Sequence, residues 1–277
     1  KEDITVQGSQ LKAGNTVTLQ AEQQLRLEAA RDSAEQHSTN SNQSASIGVG
    51  FTVGAQQSGV NLNLAASQGR GNADGSDVSW VNTEVAAGQQ IKTESGTNTN
   101  IRGGVLTAPQ VTITTGTSGN GNGNLTIESL QDTSQFKSQQ KQQGATLSVP
   151  ITGGKPSGSV NVNKSDIDSD YASVKQQSGI RAGDGGFTVS VSGDATLTGG
   201  AITSTQAAVD NHKNTFHTEG TLTTSDVANK ATFEAKSVGV NLGVGFSPSG
   251  QLAPQGTGVG LGKDRDNQRS TTKAANS

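Results

Sequence analysis

Short stretches in which apolar and polar residues alternate recur along the chain. This period of two is typical of half-buried β-strands. The clearest are Ile4-Thr5-Val6, Val17-Thr18-Leu19, Leu25-Arg26-Leu27, Val111-Thr112-Ile113 and Leu125-Thr126-Ile127. Strands this short cannot fold alone, so the pattern predicts an all-β coil, a β-helix or β-solenoid, in which each turn pairs with its neighbours. The interval from Val6 to Leu27 (27 − 6 = 21 residues) is the length expected of one turn.

Longer alternating segments predict antiparallel hairpins with one apolar and one polar face. They are too long for one side of the coil, so we expect them to extend beyond it. The turns are predicted at 56–59, at 153–158 and in the Pro/Gly-rich stretch before Val259. The apolar positions are Ile47, Val49, Phe51, Val53, Val60, Leu62 and Leu64 in the first copy, Leu147, Val149, Ile151, Val160 and Val162 in the second, and Val238, Val240, Leu242, Val244, Phe246, Val259 and Leu261 in the third.

A helix competes with this interpretation between Ala21 and Ser38, where Ala, Glu, Gln and Arg give good helix propensity. The alternation at Leu25 and Leu27 is that of a strand, however, and the matching segment at Leu125 is not helical in character. We therefore predict a strand followed by a polar extended arm.

Internal repeats divide the chain into modules of about a hundred residues. Leu25-Arg26-Leu27-Glu28 reappears as Leu125-Thr126-Ile127-Glu128 (125 − 25 = 100), and Leu222-Thr223-Thr224 begins a third copy. The hairpin segment at Ser46 to Gly50 aligns with Thr146 to Pro150 and then with Ser237 to Asn241, and the Gly103-Gly104 segment returns at Gly199-Gly200. The predicted modules are 1–120, 121–219 and a partial third at 220–277 with a flexible end.

Composition excludes a thick globular core and several kinds of chemistry. Of 277 residues 37 are Gly, 29% are hydrophobic and 3% aromatic, while 20 basic residues nearly balance 23 acidic ones. Abundant Val, Ile and Thr with little net charge favour a thin ordered core over disorder. The absence of Cys excludes disulfides and thiol chemistry, and scattered cations give no nucleic-acid surface. The absence of Met suggests a piece of a longer protein, in which any export signal would lie upstream. The longest apolar runs are too short for a membrane helix.

Few residues carry chemistry of their own. His212 and His217 could bind a metal, but solvated loop positions explain them better. Asp166, Asp168 and Asp170 resemble the start of a calcium loop, yet its glycine and final glutamate are absent. Gly119 to Asn124 lacks the Lys-Ser/Thr of a phosphate loop, and Gly183-Asp-Gly-Gly-Phe is a lone calcium nonapeptide match. We predict no enzyme activity, no catalytic residue, no cofactor and no metal.

Trp80 and Tyr171 are the only Trp and Tyr. The pattern places them after the first and second hairpins in equivalent positions. They either cap the thin core, which we favour, or contact lipid at a membrane interface, where such rings concentrate.

Three segments together resemble a known family. They are Gly123 to Asp132 (Gly-Asn-Leu-Thr-Ile-Glu-Ser-Leu-Gln-Asp), Asp168 to Phe187 (with Asp-Ser-Asp-Tyr-Ala-Ser-Val, Gln-Ser-Gly-Ile and Gly-Asp-Gly-Gly-Phe), and Leu197 to Asp226 (with Leu-Thr-Gly-Gly-Ala-Ile-Thr-Ser-Thr-Gln and Gly-Thr-Leu-Thr-Thr-Ser-Asp). Their order and spacing resemble the second class of filamentous haemagglutinin repeats, which occur in two-partner-secreted exoproteins such as contact-dependent growth inhibition effectors. The resemblance covers nearly the whole chain.

The resemblance implies a role in a larger assembly. Such parents are exported by an outer-membrane partner, displayed on Gram-negative bacteria, and end in a toxic domain that this chain lacks. The second repeat class is expected to wait in the periplasm, then associate with the target cell's outer membrane or a surface receptor and help the toxin cross. An adhesin stalk that binds surface glycans is the alternative. A right-handed coil is expected from this family and from strand twist.

The hairpins are the predicted functional region. Membrane-spanning strands show the same alternation of apolar and small polar residues. We favour packing of their apolar faces on neighbouring hairpins, including side-by-side self-association, over contact with lipid. The candidate contact residues are Ile47, Val49, Phe51, Val53, Leu147, Val149, Val240, Leu242, Phe246, Trp80 and Tyr171.

Overall fold

The computed structural model describes residues 2–53, 58–119, 123–151, 155–246 and 251–276. Nearly all of them lie in strands, and a five-residue helix interrupts the pattern. The elements in chain order are β1 (Ile4–Gln7), β2 (Gln10–Ala13), β3 (Thr16–Ala21), β4 (Leu25–Glu28), β5 (Ala30–Val53), β6 (Ser58–Val81), β7 (Thr83–Ala87), β8 (Gln90–Ser95), β9 (Thr99–Arg102), β10 (Gly104–Thr115), β11 (Leu125–Glu128), β12 (Gln131–Pro150), β13 (Ser157–Val174), β14 (Gly179–Val191), β15 (Ala195–Thr198), β16 (Ala201–Thr203), α1 (Gln206–Asp210), β17 (Thr215–Thr218), β18 (Leu222–Ser225), β19 (Val227–Phe246), β20 (Leu252–Thr272) and β21 (Ala275–Asn276).

The short strands form a parallel β-solenoid, which confirms the predicted fold class. β1, β4, β9, β11, β15 and β18 pair in that order as one side. The other side contains β2, β7, β10, β14, β16 and β21, together with β3, β8 and β17. Ile4 pairs with Leu25 and Val6 with Leu27, so the first rung spans the predicted 21 residues. The other rungs without hairpins are longer: Ile101 pairs with Ile127 (127 − 101 = 26) and Leu197 with Thr224 (224 − 197 = 27). The described residues form six rungs, which begin at β1, β4, β9, β11, β15 and β18.

A core one side chain deep runs through the rungs as a ladder of fully buried aliphatic residues. One ladder contains Leu27, Ile101, Ile127 and Leu197, each with 0% exposure. Some of the buried hydroxyls beside it pair with each other, and Thr115 Oγ1 donates to Thr99 Oγ1 over 2.8 Å. Each fully buried Leu or Ile contributes about 1.5–3 kcal/mol, which lets so thin a core hold the coil together.

Long hairpins leave the solenoid at one corner of every second rung. Strands β5 and β6 follow β4, β12 and β13 follow β11, and β19 and β20 follow β18. These six strands form one antiparallel sheet in the order β20-β19-β13-β12-β6-β5, named the hairpin sheet from here on. The helix weighed against a strand at 21–38 is absent, since Leu25–Glu28 form β4 and Ala30 to Ser38 lie in β5, as the strand interpretation predicted.

The hairpins alternate with bare rungs because the spacings match. Rungs of a parallel coil and strands of a sheet both repeat at about 4.8 Å. A hairpin is two strands wide, so it covers the height of two rungs. Consecutive hairpins therefore meet edge to edge, and β6 pairs with β12 and β13 with β19 along most of their lengths.

Glycines turn the corner on the rungs without hairpins. Gly8, Gly103 and Gly199 follow β1, β9 and β15 with φ of +54°, +68° and +57°. A Cβ on Gly103 would lie 2.5 Å from the Cβ of Ala29, at the base of the hairpin on the neighbouring rung. The corner thus requires glycine for its conformation and for the close approach of the hairpin.

The hairpins differ from the prediction in length and alignment. Their strands have 18–24 residues and extend far into polar sequence. Ser58 and Gly59 begin β6, and Ser157 and Gly158 begin β13, while predicted turn residues 56–57 and 153–154 lie outside the described residues.

The alignment of the third hairpin is corrected by the register. Ser46 and Thr146 share a row with Ala65, as the alignment predicted. The same row reaches Ser159 and then Gly243 on β19, not Ser237. The predicted third copy is therefore six residues out of register (243 − 237 = 6). The module boundaries remain a prediction.

Candidate functional site

The hairpin sheet presents two chemically different faces. Directly opposed residues of antiparallel strands share a face, as do residues two apart on one strand. The register places an apolar set on one face at the end distant from the solenoid. This apolar patch consists of Ile47, Val49, Leu62, Leu64, Leu147, Val149, Val160, Val162, Val238, Val240, Leu242, Val244, Val259 and Leu261.

Much of the apolar patch is exposed. Ile47 is 71% exposed, Leu147 44% and Leu261 77%. The hairpins join edge to edge through their backbones, so the predicted packing of apolar faces on neighbouring hairpins is wrong in its geometry: the faces lie in one plane and remain open. An apolar surface that crosses six strands and stays open to solvent is unusual.

The opposite face carries Gly, Ser, Asn and Gln. Asparagine side chains lie over glycines of the adjacent strand, and a Cβ on Gly144 would meet the Oδ1 of Asn161 at 2.6 Å. Gly239 stands in the same relation to Asn163. The side chains of this polar face stay close to the sheet, because the glycines leave room for the asparagine amides to lie flat against the backbone.

Charged side chains border the apolar patch on the side nearer the solenoid. Arg70, Lys141 and Lys164 occupy one row on β6, β12 and β13, directly beside the patch. Lys164 Nζ lies 2.6 Å from Asp166 Oδ2. This cationic row, which consists of these three residues, separates the patch from a mixed charged band.

The mixed band is held by cross-strand ion pairs. Lys137 pairs with Asp168 at 3.7 Å and Lys230 with Asp170 at 2.5 Å. His37 contacts Asp74. The three aspartates of the rejected calcium motif therefore point along one face of an extended strand, and each has a lysine partner.

One carboxylate in this band has a shifted pKa. A hydrogen bond from Lys236 lowers the pKa of Glu234 below its ordinary value, with further help from the nearby Lys263. On the solenoid, the hydrogen bond to Glu128 raises the pKa of Arg102. Both shifts reflect surface ion pairing, and neither group lies in a cleft suited to acid–base chemistry.

Five predicted residues remain. Phe51 and Val53 end β5 and Phe246 ends β19. Trp80 and Tyr171 lie within β6 and β13 rather than after the hairpins, and the register sets them on opposite faces, so their predicted equivalence is wrong. Trp80 is at the base of its hairpin, where its Nε1 donates to the carbonyl oxygen of Gln131 over 3.1 Å.

A side-chain clamp at the hairpin bases was missed by sequence reasoning. Asp132 Oδ1 accepts a hydrogen bond from the backbone N–H of Trp80 (2.8 Å), and Asn229 Oδ1 accepts one from Val174 N–H (2.9 Å). Each therefore ties the first strand of one hairpin to the last strand of the previous hairpin. Asp32 and Asp132 lie 100 residues apart in the sequence, which is the one available signal, and Asn229 is the third residue in this row.

Metal and membrane-helix sites are not found within the described ranges. No group of three or more His, Cys, Asp or Glu residues there could hold a metal ion. The described part of the chain also has no helix of the length and apolar character that crosses a membrane.

Comparison with known proteins gives the family. The hemagglutinin repeat model matches residues 1–145, just over half of the chain. The chain is 32% identical over 253 residues to a "Toxin CdiA" of Escherichia coli, covering 91% of this chain and 8% of that protein. It is 34% identical over 243 residues to a "Deoxyribonuclease CdiA" of Yersinia pseudotuberculosis (88% and 21%) and 35% identical over 251 residues to a "16S rRNA endonuclease CdiA" of Enterobacter cloacae (91% and 7%).

The chain thus spans a quarter or less of these relatives, and their nuclease names describe the whole proteins. What the matched region shares with them is the repeat sequence. On the family match and this fold together, the chain belongs to the hemagglutinin repeat family.

Proposed function

We propose that this chain is a non-enzymatic structural repeat segment of a larger secreted contact-dependent toxin, and that it assists passage of the toxic domain across the target cell's outer membrane. The observation that carries this proposal is the exposed apolar patch bordered by the cationic row. Laid against a bilayer, the patch would enter the acyl region while Arg70, Lys141 and Lys164 remain at the headgroups.

The magnitudes favour binding to an anionic lipid surface. Side chains of the patch that are about half exposed would each contribute roughly 1 kcal/mol on transfer to lipid, half the value for full burial. Each cation near an anionic surface adds about 1 kcal/mol. Several of each acting together would give firm binding, which would weaken at high salt.

The family suggests the cellular setting in which this segment would act. The parent would be exported by an outer-membrane two-partner secretion transporter, held partly in the periplasm, and deployed at the surface of a Gram-negative cell. Its target would be the outer membrane or a surface receptor of a second cell.

Vesicle flotation tests the lipid step. Purified chain should float with vesicles of phosphatidylethanolamine and phosphatidylglycerol. The double variant Leu147→Asp, Val162→Asp should lose this binding by more than tenfold, because two charges would enter the acyl region. The matched control Thr146→Asp, Asn161→Asp adds the same charges to the polar face and should bind at least half as well as wild type. Equal loss in both variants, or no binding by wild type, would overturn the lipid role.

The role of the cationic row is tested by removing its charges and comparing binding to anionic and to neutral vesicles. Arg70→Gln with Lys141→Gln should weaken binding to the anionic vesicles but leave any binding to pure phosphatidylcholine vesicles unchanged. If both lipids lose binding equally, the cations act through the fold and not through headgroups.

Deletion in the parent separates delivery from attachment. Removal of these residues should abolish toxin entry while cells still attach to targets. Loss of attachment with normal entry per attached cell would support the adhesin stalk that binds surface glycans. Cleavage of DNA or RNA by the purified chain with Mg²⁺ would refute the non-enzymatic assignment.

A further inference from the structure

A groove crosses the face of the hairpin sheet that carries the apolar patch, named the patch face from here on. Three adjoining cavities of about 430, 640 and 480 Å³ form it. The cationic row lines the first cavity, and Leu64 and Leu147 line the last. On β12 the groove runs from Lys141 to Leu147, a length of about 20 Å at about 3.4 Å per residue. Most of its lining belongs to β6, β12 and β13, which are interior strands of the sheet.

The chemistry of the groove changes row by row with distance from the solenoid. Beyond the cationic row come a row of amides, a row of alanines and a row of large aliphatic side chains. They are Gln43, Gln68 and Gln143, then Ala45, Ala66 and Ala145, then Ile47, Leu64 and Leu147. This order of charged, amide, small apolar and large apolar groups matches the headgroup, the polar linking region and the acyl chain of an amphiphile. Such a molecule would fit lengthwise.

Charge selects an anionic headgroup for this groove. Every Lys and Arg in the six strands, as the structure describes them, lies on the patch face. The described residues of the polar face carry only carboxylates as charged groups, at Asp32, Asp77, Asp132, Asp264 and Asp266. A negatively charged ligand is therefore attracted to the patch face and repelled by the opposite one.

The cationic row can hold a phosphate group. Lys141 lies directly opposite Arg70, on strands about 4.8 Å apart. Neither cation has a carboxylate partner within the described residues, whereas Lys164 pairs with Asp166 over 2.6 Å. Two unpaired cations side by side can donate charge-assisted hydrogen bonds to the oxygens of one phosphate. Lys164 adds a further positive charge beside them.

The row of amides distinguishes between classes of anionic lipid. Gln143 Nε2 donates to Gln68 Oε1 over 3.3 Å. The Oε1 of Gln143 and the Nε2 of Gln68 make no hydrogen bond within the described residues, so the row offers both an acceptor and a donor. The ester groups between the phosphate and the acyl chains of a phospholipid only accept hydrogen bonds, whereas the hydroxyls and amides of an acylated sugar also donate them. The row therefore favours a glycolipid.

We propose that the groove binds a phosphorylated and acylated sugar, with a phosphate at Arg70 and Lys141, the sugar at the row of amides and an acyl chain over the row of alanines. This inference rests on the proposed lipid-binding function and names the class of lipid. The small alanine side chains leave a channel, and Val160 and Val162 provide apolar groups along it. Recognition of one lipid class would direct the segment to membranes that contain it.

Vesicle flotation tests the choice of lipid. Phosphatidylcholine vesicles would carry either a doubly phosphorylated, acylated glucosamine disaccharide or phosphatidylglycerol, at equal negative charge. Wild type should bind the glycolipid vesicles about tenfold more tightly, and Gln68→Ala with Gln143→Ala should remove this preference without weakening binding to phosphatidylglycerol. Gln140→Ala with Gln142→Ala, on the polar face of β12, is the matched control and should keep the preference. Equal wild-type affinity for the two vesicles would overturn the inference and leave the general lipid role standing, whereas failure to bind either would refute both.

The position of the acyl chain is tested by filling the groove. Ala66→Leu with Ala145→Leu occupies the channel and adds apolar surface to the patch. It should weaken binding to the glycolipid about tenfold, while binding to phosphatidylglycerol is kept or strengthened. Ala65→Leu with Thr146→Leu makes a similar addition on the polar face and should change neither, and circular dichroism should show the same strand content in all variants. Undiminished glycolipid binding by the groove-filling variant would refute the groove as the binding site.

Soluble competitors separate the sugar from its phosphate. The deacylated, doubly phosphorylated disaccharide should displace wild type from glycolipid vesicles, and inorganic phosphate at equal concentration should not. Equal displacement by inorganic phosphate, or none by the disaccharide, would overturn the proposal, because the row of amides would then make no contribution to recognition.

Discussion

The corner glycines provide the sharpest test of how the solenoid and the hairpins fit together. Gly103→Ala asks the backbone to keep φ at +68° with a side chain present. That conformation costs about 1–2 kcal/mol for a residue other than glycine. The new Cβ would also lie 2.5 Å from Ala29 Cβ and 3.1 Å from Leu130 Cδ1. Overpacking of this kind costs about 1–3 kcal/mol, so the expected total is about 2–5 kcal/mol.

Gly14→Ala is the control, because no atom lies within 4 Å of its Cβ position and its φ is not positive. Here alanine should be neutral or should stabilise the fold by about 0.4–1 kcal/mol, through the unfolded chain. Urea unfolding followed by circular dichroism would compare the two variants. Hydrogen exchange around Ala29 would show whether the loss begins at the hairpin base.

Two outcomes would refute this reasoning. If Gly103→Ala unfolds within about 0.5 kcal/mol of wild type, a normal surface value, then the close approach of corner and hairpin does not constrain the fold. If Gly14→Ala is as damaging as Gly103→Ala, the loss comes from glycine content in general and not from the corner.

Three further outcomes follow from other parts of the molecule. Ile127→Ala, in the fully buried ladder, should cost about 2–5 kcal/mol in the same urea assay, and a cost below 1 kcal/mol would contradict a close-packed core. Asn229→Ala removes the acceptor for Val174 N–H and should cost about 1–3 kcal/mol, with faster hydrogen exchange at Val174; unchanged exchange there would dismiss the clamp. Because Lys236 lowers the pKa of Glu234 in the folded state, this carboxylate stabilises the fold above its unfolded pKa and loses that effect as pH falls through its folded pKa. Glu234→Gln should therefore slightly reduce the loss of unfolding free energy as the pH falls into the acid range. An unchanged pH dependence would show that the Glu234–Lys236 pair does not stabilise the fold.

The solenoid was predictable because its signal is local. Leu25 and Leu27 alternate as an inward pair, and the same pair returns 21 and 100 residues away in the pattern. Each rung buries its aliphatic residues against the next rung. The spacing of the aliphatic pairs along the sequence therefore indicates where successive rungs begin. The apolar side of the hairpins was likewise visible at Ile47 and Leu147, but its exposure to solvent was not, because the sequence does not show that the hairpins join edge to edge.

The length and register of the hairpins were hidden for a physical reason. From Ala30 to Ala45 the first hairpin contains Ser, Asn and Gln on both faces, so no apolar alternation marks it as strand. Register is weakly specified in such polar, glycine-rich strands. Here the hydrogen bonds of Asp132 and Asn229 at the hairpin bases set the register. A sequence alignment that matches the Gly- and Val-rich ends of the hairpins instead places the third hairpin six residues out of register.

The equal heights of one hairpin and two rungs constrain how such a chain can change during evolution. Gain or loss of a single rung would shift one hairpin by about 4.8 Å relative to its neighbour and leave a gap one strand wide in the sheet. Gain or loss of a whole module of about a hundred residues would leave every pairing intact. Length variation within this architecture should therefore occur in whole modules through recombination between copies, while small insertions should accumulate at the far ends of the hairpins.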